Sequence, residues 1–511
     1  MKMNWNPSGV FAICFGVSFA LVSPPRMAGA EQSQSTSQVT IPSRPEQLVF
    51  PPLAYDPPSP ESYRIVLKSG PVAYVVPDRE LPLVNIVVMV KTGHYLSPPG
   101  KEGLPGMTAH LLARGGAGSK SAQELDERLA FLAARLESGA DDTQSTVSLN
   151  LLSKDLDEGL ALLREVLTVP RFEEDRLELS RQQQLQAMQQ RNDESEEIED
   201  RESDRLAYGE AFWKNQLATE ASVKSITRAD LVAFHRAWFH PSNFVVAASG
   251  DFERDALARK LENLFEKWPF EGTKPPVVPT NTVFAAPGAY VVNKEVNQGR
   301  VSIYLPGVMR EDADYFGVLV MNRILGGGGF TSRITARVRS DEGLAYSAYS
   351  SFQGGVYYPV PFVASFQSKS RTVAYATSIV VDEMQKIAAA PVTEEELNTA
   401  KRSYIDTLPR NFATKTQIAT AFATDEFTGR FARDPHFWKN FRQRIEASTI
   451  ADVQKVAKRF MDLSKLVILV VGDKKEIALG NADHPVKLES LAGGHLTELP
   501  LRDPLTLKPI K

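Results

Sequence analysis

An internal repeat constrains this chain more than any other feature of its sequence. FVVAASGDF, Phe244 to Phe252, and LVILVVGDK, Leu466 to Lys474, are each an apolar run ending in Gly-Asp, with Gly250 and Gly472 lying 222 residues apart. Just upstream, ITRADLVAFHRAWF matches STIADVQKVAKRFM, and Asp230 and Asp452 keep the same offset. Further back, VPRFEEDRLELSRQQ resembles APVTEEELNTAKRSY, with Pro170 and Pro391 separated by 221 residues. Three matches at nearly one offset imply a duplication, and 511 residues are more than one hydrophobic core normally serves. The expectation is two similar domains.

Each half runs in one order. Apolar or alternating strands come first, as in VNIVVMVKTG and GRVSIYLPG. Helices follow, with apolar residues at helical spacing in ALLREVLTV and FGVLVMNRIL. Next comes a long helix that opens on acidic residues, well placed against its dipole, then a shorter helix and the Gly-Asp strand. Strands and helices in blocks predict an α+β fold of two homologous α/β-sandwich domains, with helices over one face of each sheet. The boundaries expected are 51–270 and 286–490. A Pro-rich linker at 271–285 separates them, and 491–511 forms a C-terminal tail or an arm onto a partner.

Residues 1–30 read as a secretory signal peptide: Lys2, an apolar run from Val10 to Val22, and a small-residue cleavage site at Ala28-Gly29-Ala30. An uncleaved anchor is the alternative, although the run is short of the roughly 20 residues that a span needs. Residues 31–50, rich in Ser, Gln and Thr, suit a flexible lead-in. Export across an inner membrane, to a periplasm, is the expected location. The one cysteine, Cys14, lies in the signal segment, which leaves the remainder without disulfides, thiol nucleophile or thiolate metal site. A formal net charge of −4 gives no basic excess for nucleic acid or an anionic membrane. No G-x-S-x-G elbow is present.

Two stretches carry chemistry. LGGGGFTSRITARVRSDEGLAYSAYSSF, Leu325 to Phe352, contains four consecutive glycines, Gly326, Gly327, Gly328 and Gly329, and an Arg339–Tyr346 pair seven residues apart. The glycines suit a flexible turn; a phosphate cradle is disfavoured because no Gly-Lys-Ser/Thr follows. Arg339 can hold a carboxylate or carbonyl, and Tyr346 can donate to a developing oxyanion. The plainer alternative is a surface arginine and a core or hinge tyrosine. GLPGMTAHLLARGG, Gly103 to Gly116, carries a lone His110 among Leu104, Met107 and Leu111. None of the seven histidines stand at i, i+4. The carboxylate-rich ESEEIEDRESD, Glu194 to Asp204, reads as a solvated helix face or loop.

The order, the size and these two stretches resemble the M16 (pitrilysin-like, mitochondrial processing peptidase-like) peptidase family over nearly the whole chain. The resemblance implies that 325–352 is the family's Gly-rich substrate loop, with Arg339 and Tyr346 matching a pair that polarises substrate beside zinc. Active relatives carry H-x-x-E-H at the first stretch, two zinc-binding histidines around a base. Here Gly106 stands at the first histidine, Ala109 at the glutamate, and only His110 remains. The third ligand, a glutamate some 75 residues on, falls near Gln183 or Gln186. The resemblance therefore implies no metal and no cofactor in this chain. Zinc is expected in a partner subunit of the same family, whose site Arg339 and Tyr346 would assist on an unfolded peptide substrate captured by sheet-edge pairing. A homodimer is a further possibility. The alternatives are a scaffold or peptide-binding protein with no catalytic role, and an autonomous enzyme with a rearranged metal site.

Overall fold

A computed structural model describes residues 54–510, with Arg44 and Leu48 also placed. The signal segment and most of the lead-in lie outside the described residues. Among the described residues, twelve strands form two six-stranded sheets. The first sheet contains β1 (Arg64–Val66), β2 (Val72–Pro77), β3 (Leu83–Val90), β4 (Arg135–Ala140), β5 (Ser145–Leu152) and β6 (Phe244–Gly250). The second contains β7 (Gly288–Asn293), β8 (Gln298–Val308), β9 (Ala348–Ser351), β10 (Val360–Lys369), β11 (Val467–Gly472) and β12 (Leu496–Leu499). Their orders are β1-β2-β6-β3-β5-β4 and β12-β7-β11-β8-β10-β9. In both, the Gly-Asp strand runs third, parallel to one neighbour and antiparallel to the other. The α+β expectation of two sandwich domains holds.

Each half supplies a set of helices, most of which pack within that half. In the first these are α1 (Leu104–Arg114), α2 (Leu156–Thr168), α3 (Glu174–Gln189), α4 (Ser195–Tyr208) and α5 (Arg228–Trp238). In the second, α6 (Val373–Ala389), α7 (Glu394–Thr407), α8 (Lys415–Phe427) and α9 (Ile450–Phe460) follow in the matching order. The duplication persists in local detail. Thr227 and Asp230 close a capping box at the start of α5, and Thr449 and Asp452 close its equivalent on α9. These reciprocal bonds satisfy amides that a helix start leaves orphaned.

Two helices break the simple sandwich by crossing between the halves. α8 lies on β6 and β2 of the first sheet. There Tyr74 packs on Phe422 with centroids 5.9 Å apart, and the Tyr74 hydroxyl donates to Glu426 at 3.0 Å. Arg64 holds the same carboxylate in a two-pronged bond at 2.9 and 3.0 Å. Reciprocally, α4 lies on β11 and β8 of the second sheet, where Ile198 and Leu206 join Val467, Leu469 and Val471 in one core. This explains why β6 and β11 are buried at every residue. A strand covered on both faces reads as a continuous apolar run, not an alternating one.

The crossing helix corrects one expectation. The acidic stretch Glu194 to Asp204 is not a solvated face, since α4 buries Ile198, Glu199, Arg201, Glu202 and Arg205. Its charges are matched by partners distant in sequence: Arg300 donates to Glu199 at 2.5 Å, and Arg502 to Glu202 at 3.2 Å. Paired and hydrogen-bonded charges tolerate burial that isolated ones do not.

The C-terminal residues also differ from the free tail expected of them. β12 pairs in parallel with β7 and forms the edge of the second sheet. The chain then ties back to the first half. Asn192 donates to the Arg502 carbonyl at 2.8 Å, and the Glu220 amide to the Leu505 carbonyl at 2.9 Å. The Pro-rich connection carries no regular element between α5's following helix and β7, and it too is fastened to the first half, by Trp213 to the Pro279 carbonyl at 3.0 Å and Asn243 to the Thr273 carbonyl at 2.9 Å. Among the described residues, no helix is long and apolar enough to cross a membrane.

Candidate functional site

The two stretches singled out in the sequence fold into separate places. α1 packs on β4, α5 and α3 within the first half, whereas Arg339 and Tyr346 belong to elements of the second. Gly103, at φ +101°, opens α1, and Leu104, Met107, Leu111 and Leu112 drive one side of the helix into the first core.

The residues at the degenerate metal positions do not fit zinc. Gly106 offers no ligand, and a Cβ added there would stand 3.3 Å from His94 Cε1, so the imidazole of His94 lies against this flank of the helix. Ala109 is fully buried, and its carbonyl accepts from the Ser138 hydroxyl. His110, one turn beyond Gly106, is half-buried; burial and then the Arg114 charge hold its imidazole below the usual histidine range. Gln183 and Gln186, where the third ligand was expected, are both exposed. The α3 side chain that reaches the start of α1 is Gln184, with Nε2 3.2 Å from where a Gly103 Cβ would sit. Neither the exposed pair nor Gln184 brings a carboxylate. Among the described residues, no group of three or more His, Cys, Asp or Glu is arranged to hold a metal ion. His94 against Gly106 was not anticipated from the sequence, because the contact spans a loop whose fold no local pattern fixes.

The second stretch makes a cluster on the surface. Arg339 lies between two rings: its guanidinium carbon is 4.5 Å from the centroid of Phe330 and 4.5 Å from that of Tyr346. The rings' negative faces hold the cation, and Arg339 forms no ion pair among the described residues. Phe330 is 67% exposed and Tyr346 85%. The sequence pointed to Arg339 and Tyr346, but Phe330 completes the stack and was missed. Of the four glycines, Gly326 is packed so tightly that a Cβ would meet the Ser350 amide nitrogen at 2.6 Å, while Gly329 turns the chain at φ +62° in open space. Gly327 and Gly328 crowd Asn322 and the Arg323 carbonyl in the same way. The run is thus a close-packed turn that presents Phe330.

Beside Tyr346 lies a cavity of about 210 Å³ lined by Glu199, Arg300, Ser365, Gln367 and Tyr349. Burial pushes the Glu199 carboxyl up, against hydrogen bonds from Ser302 and Arg300 that favour its charge. This cavity occupies the part of the second sheet that α4 leaves uncovered. The first sheet has a corresponding open part, where Thr146, Ser148 and Asn150 alternate with the buried residues of β5. The two sheets end differently. On β9 the Ala348 and Ser350 carbonyls already accept from Thr335 and Asn322 side chains, at 2.7 and 3.3 Å. On β4, the edge strand of the first sheet, a Cβ added at Gly139 would meet nothing within 4 Å, while the neighbouring Ser138 hydroxyl is bonded to the Ala109 carbonyl of α1.

Comparison with known proteins places this architecture. Residues 75–220 match the family model for insulinase (peptidase family M16), and residues 225–404 match that for the peptidase M16 inactive domain. The chain is similar to the non-peptidase homolog YmxG of Helicobacter pylori, at 24% identity over 78% of this chain and 90% of that one. It is also similar to an uncharacterized zinc protease of Streptomyces coelicolor, at 24% identity over 59% of this chain and 66% of that one. In fold it is like a peptidase M16 inactive domain from Pseudomonas fluorescens, with a TM-score of 0.70, 23% identity, and coverage of 80% of this chain and 97% of that one. With family models covering residues 75–220 and 225–404, the chain belongs to the M16 peptidase family.

Proposed function

We propose that the protein is an exported, non-catalytic subunit of a two-component M16 peptidase, which holds peptide and lends Arg339 and Tyr346 to the zinc site of a partner. The observation that carries this reading is the unequal fate of the two stretches. At the metal positions the helix has become a core element, with Ala109 buried and His94 laid against Gly106. Tyr346 remains 85% exposed, and Arg339, partly buried, is held by the Phe330 and Tyr346 rings with no ion pair among the described residues. A cation held by two rings and a phenol beside it have no evident packing role at such exposure. They are suited to orient a peptide carbonyl and to donate to an oxyanion.

In this reading the partner supplies the metal, the activated water and the base. This chain binds, orients and shields. The edge strand β4, paired only with β5, would offer main-chain pairing to an extended substrate, whereas the capped β9 would not. The polar inner walls of β5 and β10 would flank that substrate, and closure of the two halves would exclude folded proteins and bulk water.

The test is hydrolysis of unfolded peptides by the purified protein, alone and mixed with a zinc-bearing M16 subunit from the same organism. Activity only in the mixture, reduced when Arg339 or Tyr346 is replaced, is the expected result. Chelator-sensitive activity from this chain alone would overturn the reading. Peptide binding without any effect on a partner's rate would instead favour a peptide-binding protein with no catalytic role.

A further inference from the structure

The polar face of the second sheet is organised more closely than a solvent-facing wall requires. Ser302 on β8, Ser365 on β10 and Tyr349 on β9 lie directly opposite one another across three strands. The Ser302 hydroxyl donates to Glu199 at 2.6 Å and lies 3.0 Å from the Ser365 hydroxyl. Arg300, one pleat along, donates to the other Glu199 oxygen at 2.5 Å. Glu199 is only 4% exposed. A carboxylate is thus brought from α4 of one half, fixed by a guanidinium and a hydroxyl of the other, and left at the end of a row that runs out to Tyr349 and Tyr346. Gln298 and Gln367 border this cavity and also border a larger groove of about 940 Å³, which continues to Lys369 and the start of α4 at Ser195. The small cavity is therefore a side pocket on a longer path that begins at Tyr346.

We infer that the cavity between Glu199, Arg300, Ser365, Gln367 and Tyr346 is a specificity subsite that takes one neutral, hydrogen-bonding side chain, such as glutamine or asparagine, from an extended peptide. The inference rests on the proposed peptide-binding role. Its size is that of a side chain: about 210 Å³ lies below the roughly 300 Å³ at which pockets for whole small ligands begin. Its chemistry selects against the other classes. Glu199 and Arg300 are the only charged residues lining it, and they are bonded to each other, so a charged guest would lose water without gaining an unmatched counter-charge. An apolar guest would cover the Ser365 hydroxyl, the Gln367 amide and the tyrosine hydroxyls without replacing their bonds to water. A neutral amide can both donate and accept, and so satisfies such a wall. Glu196, which reaches Arg300 at 3.3 Å, and Asp200, whose charge Arg300 also feels, are exposed and stand outside the lining, where water screens them from a guest in the pocket.

The experiment is selection from a randomised library of unfolded decapeptides on the immobilised protein, read by sequencing, with individual affinities measured by fluorescence anisotropy. The expected result is enrichment of glutamine, asparagine or their hydroxyl counterparts at one position, with at least a tenfold loss of affinity when that residue is changed to leucine, lysine or glutamate. Gln367→Leu, at an exposed site that tolerates the change, should reduce this discrimination to less than threefold and leave preferences at the other positions intact. Ser365→Leu should fill the pocket and shift the preference to glycine or alanine. Binding with a preference for a charged or bulky apolar residue there, or a preference that neither variant moves, would overturn the subsite and leave the peptide-binding role standing. No binding of any peptide, alone or with the partner, would remove that role and the subsite together.

Discussion

The two halves share a sheet order, a helix order and even a capping box, yet they differ at every place where chemistry was sought. Strand for strand, β2, β6, β3, β5 and β4 correspond to β7, β11, β8, β10 and β9. The correspondence fails at one edge, where the first sheet uses β1, a hairpin partner antiparallel to β2, and the second uses β12, brought parallel to β7 from the far end of the chain. It fails again in side chains. His235 on α5 has Ala457 as its counterpart on α9, and the helix with the degenerate metal positions has no counterpart to the Arg339–Tyr346 stack. Duplication has kept what closes each sheet and let the residues facing ligand, partner or neighbouring half diverge. The most instructive contrast is between α1, where Ala109 is buried and His94 lies on Gly106, and the surface stack of Phe330, Arg339 and Tyr346.

The largest effect should come from asking the first half to take its family's residues back. Ala109→Glu places a carboxylate at a position with no solvent exposure and no cation to meet it. The expected loss is roughly 3–5 kcal/mol of unfolding free energy, the cost of an uncompensated buried charge, seen as a lower urea midpoint. Gly106→His combined with Ala109→Glu should still fail to retain zinc after dialysis, because His94 holds the flank where the new imidazole would turn. A double variant as stable as the parent, and holding zinc in stoichiometric amount, would mean that the site is dormant and the comparison drawn here wrong.

A second asymmetry is acid sensitivity. His235 is 2% exposed, its Nε2 lies 2.9 Å from the Leu167 carbonyl, and burial holds its imidazole at about 4, below the usual 6.5. The folded state then carries fewer protons than the unfolded chain between these values. Stability from this group is fully present above pH 6.5 and is lost as pH falls toward 4, by about 3 kcal/mol in all. His235→Ala, which copies Ala457, lowers stability at neutral pH by leaving a cavity but should flatten the decline. Urea midpoints measured from pH 7 to pH 4 give the slope. An unchanged slope in the variant would assign the acid sensitivity to other groups.

For function the contrast runs the other way. In the mixed assay, Arg339→Ala or Tyr346→Phe should lower kcat/KM by about 10²-fold, the scale of losing one oxyanion donor, without moving the unfolding midpoint. His110→Ala should leave the rate unchanged. If the His110 variant were the impaired one, the active element would lie in the first half.

The sequence made the duplication and the fold class legible because both rest on local pattern: the Gly-Asp strand ends, the repeated offset and the order of strands and helices. Arg339 and Tyr346 stand out through the family resemblance, and the structure shows that they stack. It concealed what depends on contacts across the duplication. α4 reads as a solvated acidic helix, since Glu199 and Glu202 meet Arg300 and Arg502 across sequence separations of 101 and 300 that only the folded chain closes. No spacing rule reports that Phe330 stacks on Arg339, or that His94 lies on Gly106. Gln184 rather than Gln183 or Gln186 reaches α1 because helix rotation is set by packing, and a count of residues along the chain does not include it.

The smallest effect concerns the unequal sheet edges. Arg502, beyond β12, bonds Glu202 at 3.2 Å and Glu210 at 3.1 Å, and so ties the borrowed edge strand to the crossing helix α4. Glu202 also has Arg205 at 2.9 Å, so Arg502→Ala does not leave that buried carboxylate alone. The expected cost is accordingly modest, about 1–2 kcal/mol for lost charge-assisted bonds. Its location is the more telling readout. Amide exchange should quicken along β12 and the adjoining edge of β7 while β1 and β2 stay protected, because the first sheet's edge is held by its own hairpin. Equal loosening at both edges would show that the C-terminal segment braces the whole molecule, and that the two edges, though built from different parts of the chain, are mechanically one.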